Sequence, residues 1–326
     1  MHPAKAWLCG ALTATGLDAW LARAAGSAQR PWVLGYHAVV EDAAAMNGLM
    51  PGLAITTAML ERHLDWIGRR FDFASLDDLQ PGARPAGKRP LAAITFDDGY
   101  RGVFDHAWPI LRRKGIPAAL FVVTDRIDGA TPLLHDQLFR HLLAHHDVPG
   151  AYALTRSLLH SRSQAELLRF IAHLADAPPS DDELPLSWQM LRALRAGGCT
   201  IGSHTRSHAL LTRTAGAELD AELRVSRSTL ALGLGEPVLH YAYPDGAFDP
   251  CAVEAVESAG YQAAYTTCAH RDPRHPSLTR PRTMLWEGSS TDRQGRFCGP
   301  ILDCQSSGLL DRYSGCGAAH AYSATA

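Results

Sequence analysis

The sequence contains no CxxC pair, and its cysteine count is odd: Cys9, Cys199, Cys251, Cys268, Cys298, Cys304 and Cys316. Structural zinc of the multi-cysteine kind is therefore not expected. Cys199 and Cys268 lie in apolar contexts and read as small buried hydrophobes. Cys298, Cys304 and Cys316 stand in a Gly/Ser-rich tail, where spacing alone does not establish a disulfide. The chain also lacks an excess of either charge, with 31 Lys+Arg against 33 Asp+Glu. No global field favours nucleic acid or an acidic polymer. Beyond the N-terminal segment there is no apolar run of about 18 residues, so no spanning helix is expected.

What is present is an ordinary globular composition, 46% apolar and 20% charged over 326 residues. That length suits one large α/β domain or two small ones. Buried strands alternate with helices: "WVLGYHAVV" from Trp32, a helix over "TAMLERHLDWIGRRF" (57–71), "PLAAITFDDGY", a helix closed by Gly115 with a kink at Pro109, then "IPAALFVVTDRI". Such alternation predicts βα units around a parallel sheet or barrel. From Gly129 to Leu186 the strand signal vanishes, and the segment reads as a helical insertion. Later, "CTIGSHT", "VLHYAYPDGAF", "AAYTTCA" and "RPRTMLW" are strand candidates, with a charged helix over 215–232.

Residues 1–31 read as an amphipathic helix packed on the domain or on a membrane surface, in preference to a cleaved signal segment, because Asp18 interrupts the apolar run. That reading favours a cytoplasmic or membrane-peripheral protein over a secreted one. Residues 287–326 show little periodicity and read as an irregular tail.

Two short stretches carry chemistry. "ITFDDGY" ends a strand in two adjacent carboxylates, Asp97 and Asp98, at the barrel end where active sites form. "SHTRSH" follows another strand and spaces His204 and His208 four residues apart, which in a helical turn puts both rings on one face. No glutamate follows the first histidine, so the HExxH protease motif is absent. Only Arg101 and Arg206 flank the motifs, too few cations for a phosphoesterase. Two imidazoles and one carboxylate form a facial triad for a divalent ion. One aspartate suffices as ligand, leaving the other to take a proton. We assign Asp98 to the metal and Asp97 to the base.

With these motifs the chain resembles the polysaccharide deacetylases, the NodB-homology group of carbohydrate esterase family 4. The resemblance covers 32–286, with 129–186 inserted. It implies a distorted (β/α) barrel that removes N-acetyl groups from N-acetylglucosamine units of a glycan, using a divalent metal: zinc by default, cobalt or nickel as alternatives. "AYPDGAFD" aligns with the third motif, whose arginine and tyrosine positions are here Ala242 and Asp245. The resemblance implies that the backbone N–H of Asp245 helps to hold the oxyanion, with Tyr243 and Pro244 beside the substrate. Arg282, opening the last strand, is the candidate to orient Asp97. His37 is a candidate for the barrel mouth, its alternative being a core histidine. The late histidine acid of the family has no counterpart at matching spacing; His270 and His275 do not fit. Alternatives are deacylation of an O-acetyl ester or non-sugar amide, or a glycan-binding homologue without turnover. The expected partner is a glycan, with no nucleic acid.

Overall fold

The computed structural model describes residues 4–24, 30–79, 87, 89–172, 179–267 and 270–310. The N-terminal segment forms two helices, α1 (Ala4–Thr15) and α2 (Leu17–Ala24). Gly16 separates them, in the left-handed region at φ +70. The barrel strands are β1 (Trp32–Tyr36), β4 (Asp72–Phe73), β5 (Leu91–Phe96), β6 (Ala118–Val122), β7 (Thr200–Ser203), β8 (His240–Ala242), β9 (Ala263–Tyr265) and β10 (Thr283–Met284). Strands β2 (Ala38–Val40) and β3 (Ala54–Thr56) pair with each other in a small second sheet.

All pairings in the main sheet are parallel, in the order β10-β1-β5-β6-β7-β8-β9, with β4 beside the first residues of β5. Strands β1 and β6 are buried at every residue, as their unbroken apolar runs predict for strands covered on both faces. A parallel bridge from Tyr265 to Arg280 links the far edge to the segment entering β10. The sheet thus curls into a distorted (β/α) barrel. Its register pairs Tyr36 with Phe96, Phe96 with Leu120, and Val122 with Ser203. The strand ends are therefore level, and the residues that follow them share one mouth.

Helices α3 (Thr57–Gly68), α4 (Trp108–Lys114), α8 (Trp188–Ala196), α9 (Gly216–Leu234) and α10 (Pro250–Ser258) surround the barrel. The kink expected at Pro109 is a π-helical turn, Val103–Ala107, immediately before α4. Proline lacks the N–H that would bond the carbonyl four residues back, and its ring crowds that carbonyl. Widening the preceding turn relieves both problems. The 129–186 segment supplies α5 (Leu134–Leu143), α6 (Val148–Ser161) and α7 (Gln164–Ile171).

The C-terminal tail departs from the expectation. Instead of being irregular throughout, it forms α11 (Gly299–Ser306), which packs against α1 through Cys9, Ile301 and Cys304. Its apolar residues are too few to show periodicity alone, and the partner helix at the other end of the chain completes the contact. Cys9, Cys199, Cys298 and Cys304 are free thiols, with Cys199 buried as read from its context. Cys268 and Cys316 lie outside the described residues. On the outer face of α1 and α2, Trp7, Leu8, Leu17 and Trp20 are exposed, the tryptophans at 75% and 61%. Among the described residues, no helix is long and apolar enough to cross a membrane.

Candidate active site

Asp97 and Asp98 leave the end of β5 and diverge. Asp98 has φ +73, followed by Gly99 at +79, a left-handed pair in which glycine is at ease and aspartate is tolerated. This reversal sends the two carboxylates to different partners.

Asp97 is 1% exposed and receives a two-pronged ion pair from Arg282: Nη1 to Oδ1 at 2.7 Å and Nη2 to Oδ2 at 2.7 Å. The arginine comes from the residue before β10. Its remaining donors reach Thr95 Oγ1 at 3.0 Å and the Thr266 carbonyl at 3.1 Å. Its guanidinium lies 5.2 Å from the centroid of the Phe121 ring. Ala242, at the motif position where the resembling family has arginine, belongs to the same interior cluster as Phe121. The cation arrives instead from the segment that enters β10. Burial pushes the Asp97 carboxyl up, and the Arg282 charge outweighs it, so its pKa lies below the ordinary value. A planar fork matched to a carboxylate also fixes the carboxylate's orientation.

Asp98 faces the histidines. Its Oδ1 lies 3.4 Å from His204 Nε2 and 3.2 Å from His208 Nε2. The three ligand atoms all fall within 4.8 Å of one another. Yet Asp98 Oδ1 has no hydrogen-bond partner although it is buried. An orphaned buried carboxylate oxygen facing two imidazole nitrogens is the arrangement a divalent cation satisfies, so these residues fit the metal that the motifs imply. His204 Nδ1 meets the Ala242 carbonyl at 2.8 Å. That contact places the proton on Nδ1 and leaves Nε2 unprotonated toward the ligand point. Burial raises the Asp98 carboxyl, but contact with His204 and His208 overrides it and holds the group well below the usual range.

The helical turn expected between the two histidines is absent. Thr205 and His208 have φ +67 and +68, and no helical residues are found from 204 to 210. Glu222, on α9, shapes this loop instead. Its buried carboxylate accepts the N–H groups of Arg206 and Ser207 at 3.0 and 2.9 Å and the Ser207 hydroxyl at 2.7 Å. If Asp98, His204 and His208 hold a divalent cation, we expect Glu222→Gln to weaken its binding about tenfold to a hundredfold while the circular dichroism spectrum is unchanged. Competition against a chromogenic chelator would measure it, and unchanged affinity would remove Glu222 from this role.

A cavity of about 470 Å³ opens over these groups. His37, Asp97, Asp98, His204, His208 and Asp245 all border it. The His37 ring is half-buried at the end of β1, and its Nδ1 lacks a partner. Asp245 has φ +54, and its carboxylate is drawn aside by Arg156 Nη1 at 3.1 Å and His160 Nε2 at 3.3 Å, both on α6. Burial raises this carboxyl, and His160 and Arg156 bring it below its ordinary value.

Tyr243 and Pro244 do not meet the substrate-side expectation. Both are buried away from the cavity. Tyr243 meets Tyr241 edge to face, packs at a tilt against Phe248 and donates to the Leu278 carbonyl at 3.0 Å. Residues two apart on a strand share a face, and here that face is the core. Sequence reasoning missed His135, Arg156 and His160, which border the cavity from the insertion. It also missed Glu222. The signal for His135 was a His-Asp pair on the apolar face of an amphipathic helix.

The family model described as polysaccharide deacetylase matches residues 84–264. Among curated proteins, none matches this chain by sequence. In fold the chain is similar to Streptococcus pyogenes deacetylase PplD, solved in complex with acetate, at TM-score 0.56 and 16% identity over 80% of this chain and 94% of that one. It is likewise similar to IcaB from Ammonifex degensii, at TM-score 0.57 and 17% identity over 86% and 97% of the two chains. A de-N-acetylase from Aggregatibacter actinomycetemcomitans follows at TM-score 0.54 and 18% identity over 79% and 95%. The family match spans more than half of the chain, and with it the chain belongs to the polysaccharide deacetylase family.

Proposed function

We propose that the protein removes acetyl groups from N-acetylglucosamine-type sugars in an oligosaccharide or polysaccharide, with zinc held by Asp98, His204 and His208. The observation that carries this reading is the division of labour between neighbours: Asp98 turned to the two histidines, Asp97 turned to Arg282. The cation supplies Lewis acidity, which makes water a nucleophile near neutral pH and polarises a carbonyl. Asp97 accepts the proton of the attacking water, and Arg282 keeps that carboxylate ionised and aimed. As the water oxygen bonds to the carbonyl carbon, negative charge develops on the carbonyl oxygen, and the Asp245 N–H is the backbone donor nearest in role. The side chain of Asp245, held by Arg156 and His160, is kept from opposing that charge. The carbon–nitrogen bond then breaks, the amine leaves with a proton, and acetate remains.

The test is acetate release from N-acetylglucosamine oligomers by metal-stripped protein, before and after zinc is added back. Release only with metal supports the reading; no release from any oligomer at any metal load overturns it. A second reading has its own support. The described cavity wall includes Met50, Leu53, Leu159 and Leu167 but no Phe, Tyr or Trp, the rings on which sugars commonly stack. Such a wall suits a deacylase of O-acetyl esters or non-sugar amides, and both belong in the same panel.

The exposed Trp7 and Trp20 on α1 and α2 suit a membrane surface, because indole rings settle at the lipid–water interface. The charge there agrees: Arg23 is exposed, whereas Asp18 is 8% exposed. We expect the protein to float with vesicles containing anionic lipid. Removing both indoles should lower the bound fraction about tenfold or more, given roughly 1.5–3 kcal/mol for each buried large side chain. Equal flotation of the Trp7→Ala/Trp20→Ala protein would discount this surface.

A further inference from the structure

The insertion's side of the cavity holds a polar chain that the chemistry above leaves unused. Tyr100, His135 and Asp136 are 1%, 5% and 0% exposed. The Tyr100 hydroxyl donates to Asp136 Oδ2 at 2.6 Å, and Asp136 Oδ1 accepts the Met50 N–H at 3.4 Å. A phenol has one hydrogen. Once it is given to the carboxylate, only lone pairs remain for the 2.9 Å contact with His135 Nε2. While Asp136 is ionised that nitrogen carries the proton, and a neutral imidazole protonated at Nε2 presents a lone pair at Nδ1; burial pushes the Asp136 carboxyl up to about 7, so this arrangement belongs to the pH range above that. No group among the described residues bonds Nδ1, and the ring borders the cavity. Its centroid is 5.4 Å from that of His208.

We propose that His135 binds the substrate, its Nδ1 accepting a hydrogen bond from a hydroxyl or amide N–H beside the Asp98–His204–His208 cluster, with Tyr100 and Asp136 as positioning residues that fix its tautomer. The inference rests on the deacylation reading in placing a substrate there. His135 and Asp136 belong to the insertion, and Tyr100 to the strand-end motif.

Two measurements test it. In zinc-loaded wild-type protein labelled with ¹⁵N-histidine, two-bond ¹H–¹⁵N correlations read the tautomer, with the His135→Gln spectrum assigning the signal. The expected result is an Nε2–H ring whose Nδ1 signal moves when N-acetylglucosamine trimer is added. An Nδ1–H ring, or a signal indifferent to the sugar, overturns the proposal. The second measurement compares two amides. Asparagine places its amide near the Nδ1 position, glutamine near Nε2. Losing one hydrogen bond to substrate should lower kcat/KM of His135→Gln about tenfold, while His135→Asn keeps most of the activity. Equal losses in both variants, with unchanged melting temperatures, would mean that the ring serves packing only. Absence of acetate release from wild-type protein would instead count against the deacetylation itself, and the tautomer and sugar-induced shift would still decide the role of His135.

Discussion

Asp97→Asn is expected to lower acetate release about a thousandfold, in the middle of the range for loss of a positioned proton acceptor. The amide keeps the shape of the carboxylate but cannot take a proton from water. On the proposed reading zinc content should not fall, because the proposed ligands are Asp98, His204 and His208 and Asp97 is turned to Arg282. This pairing of outcomes separates a base from a ligand. Elemental analysis and an acetate assay on the same preparation would measure both. Loss of zinc together with activity would make Asp97 a ligand, and activity within a factor of about ten of wild type would make it dispensable.

Arg282→Met is expected to have the largest effect on stability. Arg282 is 3% exposed, and its guanidinium supplies both bonds to Asp97 as well as those to Thr95 and Thr266. Removing one partner of a buried ion pair leaves the other charge uncompensated, at a cost of about 3–5 kcal/mol. For a chain of this size that is a fall in Tm on the order of 10 °C. The double variant Asp97→Asn/Arg282→Met should be more stable than the sum of the two single changes implies, by about 1 kcal/mol or more, since no charge is then stranded. Differential scanning calorimetry on the four proteins would measure the coupling. Additive losses would show that the two groups do not depend on each other.

The strands and their order of appearance were legible because parallel strands buried on both faces must be continuously apolar, as in "AALFV" and "LAAITF". Adjacent carboxylates at the end of one such run, and paired histidines at the end of another, mark a single mouth once the strands are level. Arg282 was legible by position, as the cation entering the last strand. Three things were not. The loop between His204 and His208 takes left-handed angles that no local pattern announces, because its shape is set by Glu222 from a helix later in the chain. Tyr243 sits in the motif yet turns its ring to Tyr241 and Phe248, a choice made by packing. The cavity residues of the insertion lie on amphipathic helices whose inward faces cannot be oriented until those helices are docked.

The clamp of Arg156 and His160 on Asp245 has an evolutionary corollary. A carboxylate in the third motif is compatible with the site only while the insertion supplies those cations, so the two regions are bound to change in concert. A homologue that loses the α6 pair should also replace the aspartate, and grafting a foreign insertion onto this barrel should fail unless position 245 is exchanged with it.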